Sequence, residues 1–251
     1  MKMLRLILSL TVLGLAGCTT GPAWFPETYL STMAENEFSK LKSELPISQN
    51  REGTAQVNRV SGRIAQAIGP EMPDAQWEFV LFEGESANAF AMPGGKIAVF
   101  TGLLEFVDSD DELAAVIGHE IAHVQMKHAN QRMTAEVIRG LGAVVAVVGT
   151  KDMEERDRNR ILAAYGIGTQ VGIMLPYSRG HESEADRIGL MIAARAGYDP
   201  RAAITFWEKM GRASTRSVPE FLSTHPSSST RVSELQEAMP EALRIYQSIG
   251  R

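Results

Sequence analysis

The residues best suited to chemistry lie in the stretch 118–123, Gly-His-Glu-Ile-Ala-His. His119 and His123 are four positions apart, which on an α-helix places them about 40° apart around the axis and about 6 Å along it. Both imidazoles can therefore bind one metal ion from one face, while Glu120 can reach a water molecule at that ion. The spacing is typical of a zinc site that hydrolyses peptide bonds, with one Zn²⁺ per chain and Glu120 as the general base.

A catalytic zinc ion needs a third protein ligand, and histidine is the first type to consider. His128 lies five positions after His123, about 140° further round a continuous helix, so we expect it to be structural. We expect the same of His181. A metzincin pattern would need Gly at position 126 and His at position 129, where this chain has Met and Ala.

A carboxylate from a later helix is the other solution for the third ligand. Glu182 and Glu184 both lie in a suitable segment, and spacing alone does not choose between them. Asp186 stands four positions after Glu182 and favours it, because a zinc-bound imidazole usually donates its other N–H to a carboxylate. Asp186 is the expected partner of one ligand histidine.

Several elements must position these side chains. Ser109 and Glu112 form a capping-box pattern that predicts the start of the motif helix. Helical periodicity covers residues 27–44 and 50–68, and from Trp77 aromatic and β-branched residues predict two or three short strands with a turn at 93–95. The fold class is therefore α+β and mainly helical, with a small antiparallel or mixed sheet beside the motif helix.

The sheet suggests how a peptide could bind, because a sheet edge next to a metal holds an extended chain through main-chain hydrogen bonds. We expect Gly95, Lys96, Ile97 and Ala98 to form the substrate-binding strand, with an ordinary core strand over Lys96 to Phe100 as the alternative. Further along, residues 140–149 form an apolar run that is too short to span a bilayer. This run favours a buried helix over an interfacial segment or a lid. A loop containing His225 and two terminal helices complete the prediction.

The first residues predict secretion and lipid attachment. Residues 1–17 combine basic residues with a short apolar run, as in a signal peptide. They end at Cys18, the only cysteine of the chain, in a lipobox-like Leu-Ala-Gly-Cys, so we expect a lipidated tether over 18–26 and one peptidase domain over 27–251. A net charge of −5 gives no support to nucleic-acid binding.

Three ordered motifs together resemble the gluzincin family of the CAAX prenyl endopeptidase, HtpX and the periplasmic zinc proteases. They are the motif around His119, the upstream stretch 88–95 (Asn-Ala-Phe-Ala-Met-Pro-Gly-Gly), and the downstream stretch 177–186 with Glu182, Glu184 and Asp186. The resemblance implies a zincin-like fold, Glu182 as third ligand and Glu184 as a non-ligating acid. It also implies that zinc activates water and that Glu120 carries the proton to the departing amine.

The family's Thr-His-Pro element is matched at 224–226 and directs attention to His225, with Arg231 nearby. A tetrahedral oxyanion needs a second electrophile besides zinc, and His225 is the candidate, ahead of Tyr177 or Arg179. His225 could instead occupy the open zinc position and keep the enzyme latent, or cap a turn.

Two resemblances imply a place of action. By resemblance to the sorting rule of enteric lipoproteins, Thr19 after the cysteine favours the outer membrane, and resemblance to the envelope-localised branch of the family implies that the enzyme faces the periplasm. Its substrates would be unfolded or misassembled envelope proteins, and the envelope assembly machinery is a possible partner. The alternative function is a periplasmic chaperone or assembly factor that uses the same cleft to hold unfolded segments.

Overall fold

The computed structural model describes residues 21–170, 174–213, 221–222, 225 and 230–249. The helices are α1 (Glu27–Glu44), α2 (Arg51–Ile68), α3 (Thr101–Phe106), α4 (Asp110–Gln125), α5 (His128–Gly149), α6 (Glu155–Thr169), α7 (Leu175–Arg195), α8 (Arg201–Ala213) and α9 (Arg231–Ile249), and a 3-10 turn covers Gly69–Glu71. The strands are β1 (Glu78–Phe82), β2 (Ala89–Met92) and β3 (Lys96–Phe100). The predicted class, α+β and mainly helical, is confirmed.

The three strands form one mixed sheet in the order β1-β3-β2. Strand β3 pairs in parallel with β1 and antiparallel with β2, and the predicted turn before it contains Gly94 and Gly95 at φ angles of 84° and 92°. The left-handed φ of both residues explains why the turn uses glycine.

The assignment of Gly95, Lys96, Ile97 and Ala98 to substrate binding is wrong. The residues from Lys96 onward belong to the central strand, whose two sides are already hydrogen-bonded to β1 and β2. The C=O of Gly95 accepts a hydrogen bond from the N–H of Glu78 at 3.0 Å. An added peptide can pair only with an edge strand, and β2 is the edge that faces the motif helix α4.

Helix α4 begins as predicted, although its capping box differs in one bond. Oγ of Ser109 accepts a hydrogen bond from the N–H of Glu112 at 3.2 Å. The carboxylate of Glu112 accepts from the N–H of Asp108 at 2.8 Å rather than from Ser109. Because Glu112 is buried, its charge needs a partner, and Lys209 of α8 supplies it. The start of α4 is thereby fixed to α8.

Helices α4 and α7 approach each other very closely, and two glycines allow this. A Cβ atom on Gly118 would lie 2.7 Å from the carbonyl oxygen of Gly189, and one on Gly189 would lie 2.6 Å from the backbone nitrogen of His119. Around this crossing, Leu113, Ile117 and Ile121 are buried in the main hydrophobic cluster. The site is therefore mounted on two helices that are in backbone contact.

The prediction of two terminal helices is wrong, because a single helix, α9, runs from Arg231 to Ile249 and contains Pro240. An interior proline costs about 3 kcal/mol of helix stability. Leu235 and Met239 before the proline and Ala242 after it are buried, and burial of a large apolar side chain contributes roughly 1.5–3 kcal/mol. Packing on both sides of Pro240 keeps the helix continuous.

The prediction that residues 140–149 form a buried helix is correct for the helix and wrong for the burial. They belong to α5, which packs against α6 as a helical hairpin. Val144, Val145 and Val148 are 60%, 64% and 59% exposed, because they lie on the side of α5 that faces away from α6. Within the described residues, no helix combines the length and apolar content that crossing a bilayer requires.

Candidate metal centre

Four buried side chains from distant parts of the chain converge beside helix α4. His119 and His123 of α4, Glu182 of α7 and His225 each offer one donor atom, and these atoms all lie within 4.8 Å of one another. Nε2 of His119 lies 3.1 Å from Nε2 of His123 and 3.4 Å from a carboxylate oxygen of Glu182. Tetrahedral zinc with bonds of about 2.0–2.1 Å separates its ligand atoms by about 3.3–3.4 Å, so the spacing fits zinc.

The chemistry of the donors fits a cation as well. Nδ1 of His119 lies 2.9 Å from Asp186, so this nitrogen holds the proton and Nε2 presents a lone pair. That lone pair faces the carboxylate of Glu182, which is also only an acceptor when ionised. Two facing acceptors in a buried site need a positive charge between them. A metal ion supplies that charge.

Without a metal ion, a second proton on the imidazole of His119 would supply the positive charge. Burial alone would lower the pKa of His119, but hydrogen bonds and charge from Asp186 and Glu182 raise it to about 9. Burial would raise the pKa of Glu182, but the partners His119 and His225 hold it well below its usual range. The carboxylate is therefore ionised and ready to bind a cation at neutral pH.

Arg231, the first residue of α9, donates hydrogen bonds to both Glu182 and Asp186. Its Nη2 donates to Oε2 of Glu182 at 2.8 Å, and its Nε donates to Oδ2 of Asp186 at 2.5 Å. The guanidinium also lies 3.7 Å from the ring centroid of Trp207. Arg231 is buried, and it fixes the orientation of the two carboxylates that face His119. The sequence pattern had placed Arg231 near His225 without giving it this role.

A series of contacts through His128 to Glu184 orients the ring of His123. Its Nδ1 lies 2.8 Å from Nδ1 of His128, and Nε2 of His128 lies 3.1 Å from Oε2 of Glu184. If Nε2 of His123 presents its lone pair to a metal, Nδ1 carries the proton and donates to His128, which in turn donates to Glu184. Burial lowers the pKa of His128 to about 4, which keeps it neutral and able to accept.

The expectation that His128 is purely structural is therefore corrected. The helix does not continue as far as His128, since α4 ends at Gln125 and Lys127 adopts a left-handed backbone with φ of 60°. This turn brings His128 back toward His123. His181 stacks on His128 with ring centroids 4.0 Å apart, and neither residue belongs to the group of four donors.

Glu120 and His225 lie side by side next to the donor group. Nε2 of His225 is 3.3 Å from Oε1 of Glu120, and its Nδ1 is 3.2 Å from both Glu182 and His119. His225 therefore occupies the fourth corner of the group. Phe221 stacks on the ring of His225, with centroids 4.7 Å apart.

Glu120, His123 and His225 line one side of a cavity of about 320 Å³, and β2 forms another side through Ala89 and Ala91. The N–H of Phe100 donates to the C=O of Asn88. Since bonded and non-bonded pairs alternate along an antiparallel ladder, Ala89 and Ala91 direct their backbone groups away from β3. The edge of β2 beside Glu120 thus presents main-chain donors and acceptors.

The remaining predicted residues are placed differently. Arg179 is exposed and is not among the four converging donors. The side chain of Tyr177, the residue Thr224 and the lipidation site Cys18 lie outside the described residues.

Comparison with known proteins gives a consistent result. A model of peptidase family M48 matches residues 51–239. Mitochondrial metalloendopeptidase OMA1 of Schizosaccharomyces pombe is 35% identical over 216 residues, which cover 84% of this chain and 61% of that protein. The beta-barrel assembly-enhancing protease of Escherichia coli (strain K12) is 30% identical over 213 residues, which cover 80% of this chain and 42% of that protein.

Mitochondrial metalloendopeptidase OMA1 of Arabidopsis thaliana is 37% identical over 196 residues, which cover 77% of this chain and 38% of that protein. The chain thus spans less than two thirds of the length of these relatives. The family model covers helices α2 to α8, the first half of α9 and all four converging side chains. This confirms the resemblance drawn from the motifs: the chain belongs to peptidase family M48.

Proposed function

We propose that this protein is a zinc-dependent endopeptidase. The observation that carries the proposal is the buried acceptor group of His119, His123 and Glu182, whose spacing and charge fit Zn²⁺, with Glu120 beside it. When bound, Zn²⁺ would lower the pKa of water and polarise the scissile carbonyl. Its three ligands would be His119, His123 and Glu182, one ion per chain.

The chain's own residues account for the rest of the reaction. Glu120 lies on the cavity wall, where its carboxylate can take a proton from the attacking water and pass it to the departing amine. Asp186 fixes the ring of His119, and Arg231 prevents either acid from rotating. These contacts keep the donor atoms in place without reorganisation during the reaction.

The substrate would bind as an added strand on β2. The outward backbone groups of Ala89 and Ala91 lie beside Glu120, so a peptide paired there passes next to the metal ligands. Main-chain pairing recognises any extended sequence. This mode suits unfolded or misassembled proteins as the substrate class.

His225 would hold the enzyme in a latent state. Its Nδ1 lies within 3.2 Å of both His119 and Glu182, where the open coordination position of a catalytic zinc must be. This location supports occupation of the fourth position more than stabilisation of an oxyanion. Peptide binding would then require His225 to move away.

We further propose that the protein acts at the outer membrane, facing the periplasm, as a lipoprotein with a signal peptide over 1–17, a lipidated tether over 18–26 and a peptidase domain over 27–251. The leader pattern and Cys18 support this location. The relative named for beta-barrel assembly supports a role in quality control with the envelope assembly machinery, whereas other relatives are named as mitochondrial. Radioactive palmitate should label the wild-type chain and not Cys18→Ala.

The decisive experiment compares Glu120→Gln with wild type on casein, an unfolded protein. The variant keeps the three ligands, so we expect one zinc per chain and a loss of cleavage of at least about 100-fold, because the general base is gone. Glu136→Gln, on the exposed part of α5, serves as the matched control and should cleave normally. Unimpaired cleavage by Glu120→Gln would refute the mechanism, and a wild type that binds casein without cleaving it would favour the chaperone function.

A further inference from the structure

The helical hairpin of α5 and α6 presents an apolar stripe that the peptidase site does not use. Val137, Leu141, Val144 and Val148 repeat at intervals of three or four residues, and Ile138 and Val145 widen the stripe. Their exposed fractions run from 42% for Val137 to 64% for Val145. Between positions 140 and 149 every side chain is aliphatic or absent. Such a surface offers a partner no hydrogen bond and no charge.

Another face of α5 packs against α6, so the helix cannot rotate to bury the stripe. The hydroxyl of Tyr165 donates to the C=O of Arg139 at 2.8 Å. It also fills the space above Gly142, where a Cβ atom would lie 2.2 Å from that oxygen. The pairing of the two helices therefore fixes which side of α5 faces outward.

The beginning of the described chain is bound to the base of the same stripe. The N–H of Trp24 donates to Oγ1 of Thr134 at 3.0 Å, and the N–H of Phe25 donates to Oδ1 of Asn130 at 3.1 Å. Thr134 precedes Val137 by one helical turn. The indole of Trp24, 57% exposed, adds another apolar side chain there, and tryptophan is typical of membrane interfaces.

The short stretch of chain between Cys18 and Trp24 limits the distance between the lipid anchor and the stripe. Cys18 is six positions before Trp24, and an extended chain spans at most about 3.5 Å per residue. A lipid on Cys18 would hold this end of α5 within about 20 Å of the bilayer. The stripe begins one helical turn after Thr134, the residue to which the N–H of Trp24 donates.

We propose that the α5 stripe lies in the interfacial layer of the lipid bilayer and orients the peptidase on the membrane, an inference that rests on the proposed lipid anchor at Cys18. The uncharged run of ten residues is about 15 Å long, which is half the thickness of the hydrocarbon core of a bilayer. The helix would therefore lie along the membrane surface and not span the bilayer. The charged turn at Lys151 and Asp152 stays among the headgroups. A bilayer needs only hydrocarbon from its partner, which is what the stripe provides.

The test places a fluorophore on the stripe in the full, membrane-attached chain. Because Cys18 is the only cysteine and its thiol is blocked when lipidated, Val144→Cys provides a unique labelling site. Glu208→Cys on α8, at a half-exposed position, is the matched control. Both proteins are reconstituted in vesicles of phosphatidylethanolamine and phosphatidylglycerol that contain doxyl-labelled lipid.

We expect the doxyl lipid to quench the label at 144 at least threefold more strongly than the label at 208. Adding Leu141→Ser and Val145→Ser should remove most of this difference, and casein cleavage should not change, because both residues are exposed and outside the site. A label at 144 that stays accessible to aqueous iodide overturns the proposal. A label shielded from iodide but not quenched by lipid, as contact with a second copy would produce, overturns it too.

Two labels per chain would show that Cys18 is free and would overturn the proposal together with the anchor. The peptidase itself is judged separately, since casein cleavage in the absence of vesicles does not depend on the stripe. The two failures are therefore distinguishable.

Discussion

Each of the three proposed ligands has a partner on the side that faces away from the metal. His119 contacts Asp186, His123 contacts His128, and Glu182 accepts from Arg231. These contacts set the tautomer of each imidazole and the rotation of the carboxylate. At the scale of single residues, the affinity of the proposed site for zinc would therefore depend on side chains that do not contact the ion, and such partners typically change metal affinity by 10–100-fold.

The choice between the two glutamates of α7 can be tested directly. Glu182→Ala removes a proposed ligand, so we expect purified protein with less than about a tenth of the zinc of wild type. Glu184→Ala removes only the acceptor of His128 and should keep its zinc, with affinity reduced roughly 10-fold or more. Metal analysis and chelator competition measure both. Retention of full zinc by Glu182→Ala would show that the third ligand lies elsewhere.

The two roles considered for His225 predict opposite changes in the rate of casein cleavage when this residue is replaced. If His225 occupies the open zinc position, His225→Ala should cleave casein several-fold faster than wild type, because the position is vacant for substrate. If His225 instead stabilises the oxyanion, the same change should slow cleavage by roughly 100-fold or more. Initial rates on casein, with zinc content as the control, distinguish the two.

At the scale of elements, the site depends on how closely α4 and α7 cross. Gly118 immediately precedes His119, and its partner Gly189 lies two turns after Glu182 on α7. The crossing sets how far Glu182 stands from the two histidines. A motif on one helix and an acid on another become one site only because neither helix has a Cβ atom where they touch.

A pair of glycine substitutions in α7 tests this crossing. Gly189→Ala would force a methyl group to within 2.6 Å of the backbone of α4, and we expect it to cost about 1–3 kcal/mol of stability and to weaken zinc binding. Gly180→Ala lies in the same helix, where nothing described comes within 4 Å of the added atom, and should be neutral or stabilising by up to about 1 kcal/mol. Denaturant unfolding compares them; equal stability of the two variants would contradict the close crossing.

Local patterns predicted most of the elements and the pairing of His119 with His123, whereas the choice of Glu182 rested on its partner Asp186 and on the family resemblance. Capping at Ser109, the glycine turn before β3 and the spacing of His119 with His123 are all short-range signals. Strand order was not predictable, because nothing local states that β3 lies between its neighbours, and the substrate strand was therefore misplaced. The contact of His128 depends on the backbone turn at Lys127, and the exposure of Val144 depends on which face α6 covers. The contact of His128 and the exposure of Val144 both depend on tertiary structure, which local sequence patterns do not determine.

At the scale of the whole molecule, the metal would join parts of the chain that are far apart in sequence. Zn²⁺ bound to His119 and Glu182 would link α4 to α7, and Arg231 extends the connection to α9. A ligand that binds only the folded state stabilises it by mass action. Folding stability and metal content should therefore be coupled.

Removal of the metal should lower the melting temperature. At a free zinc concentration of about 100 times Kd the stabilisation is about 2.7 kcal/mol, which for a chain of this size corresponds to roughly 5–10 °C. Thermal unfolding with and without a chelator measures the difference. Glu182→Ala, lacking a ligand, should melt at the same temperature in both conditions; an equal response of wild type and variant would argue against a structural contribution from this site.

Arg231 makes the arrangement of Glu182 and Asp186 depend on the C-terminal helix α9. Before α9 docks, Glu182 and Asp186 lack the guanidinium that hydrogen-bonds to both of them, and two neighbouring acids repel each other. The ligand helix and the motif helix can both form earlier, yet the third ligand is not held in position until residue 231 has been made and folded. If the proposed function is correct, we expect a chain that is still being synthesised, or one whose last helix has detached, to cleave peptides poorly.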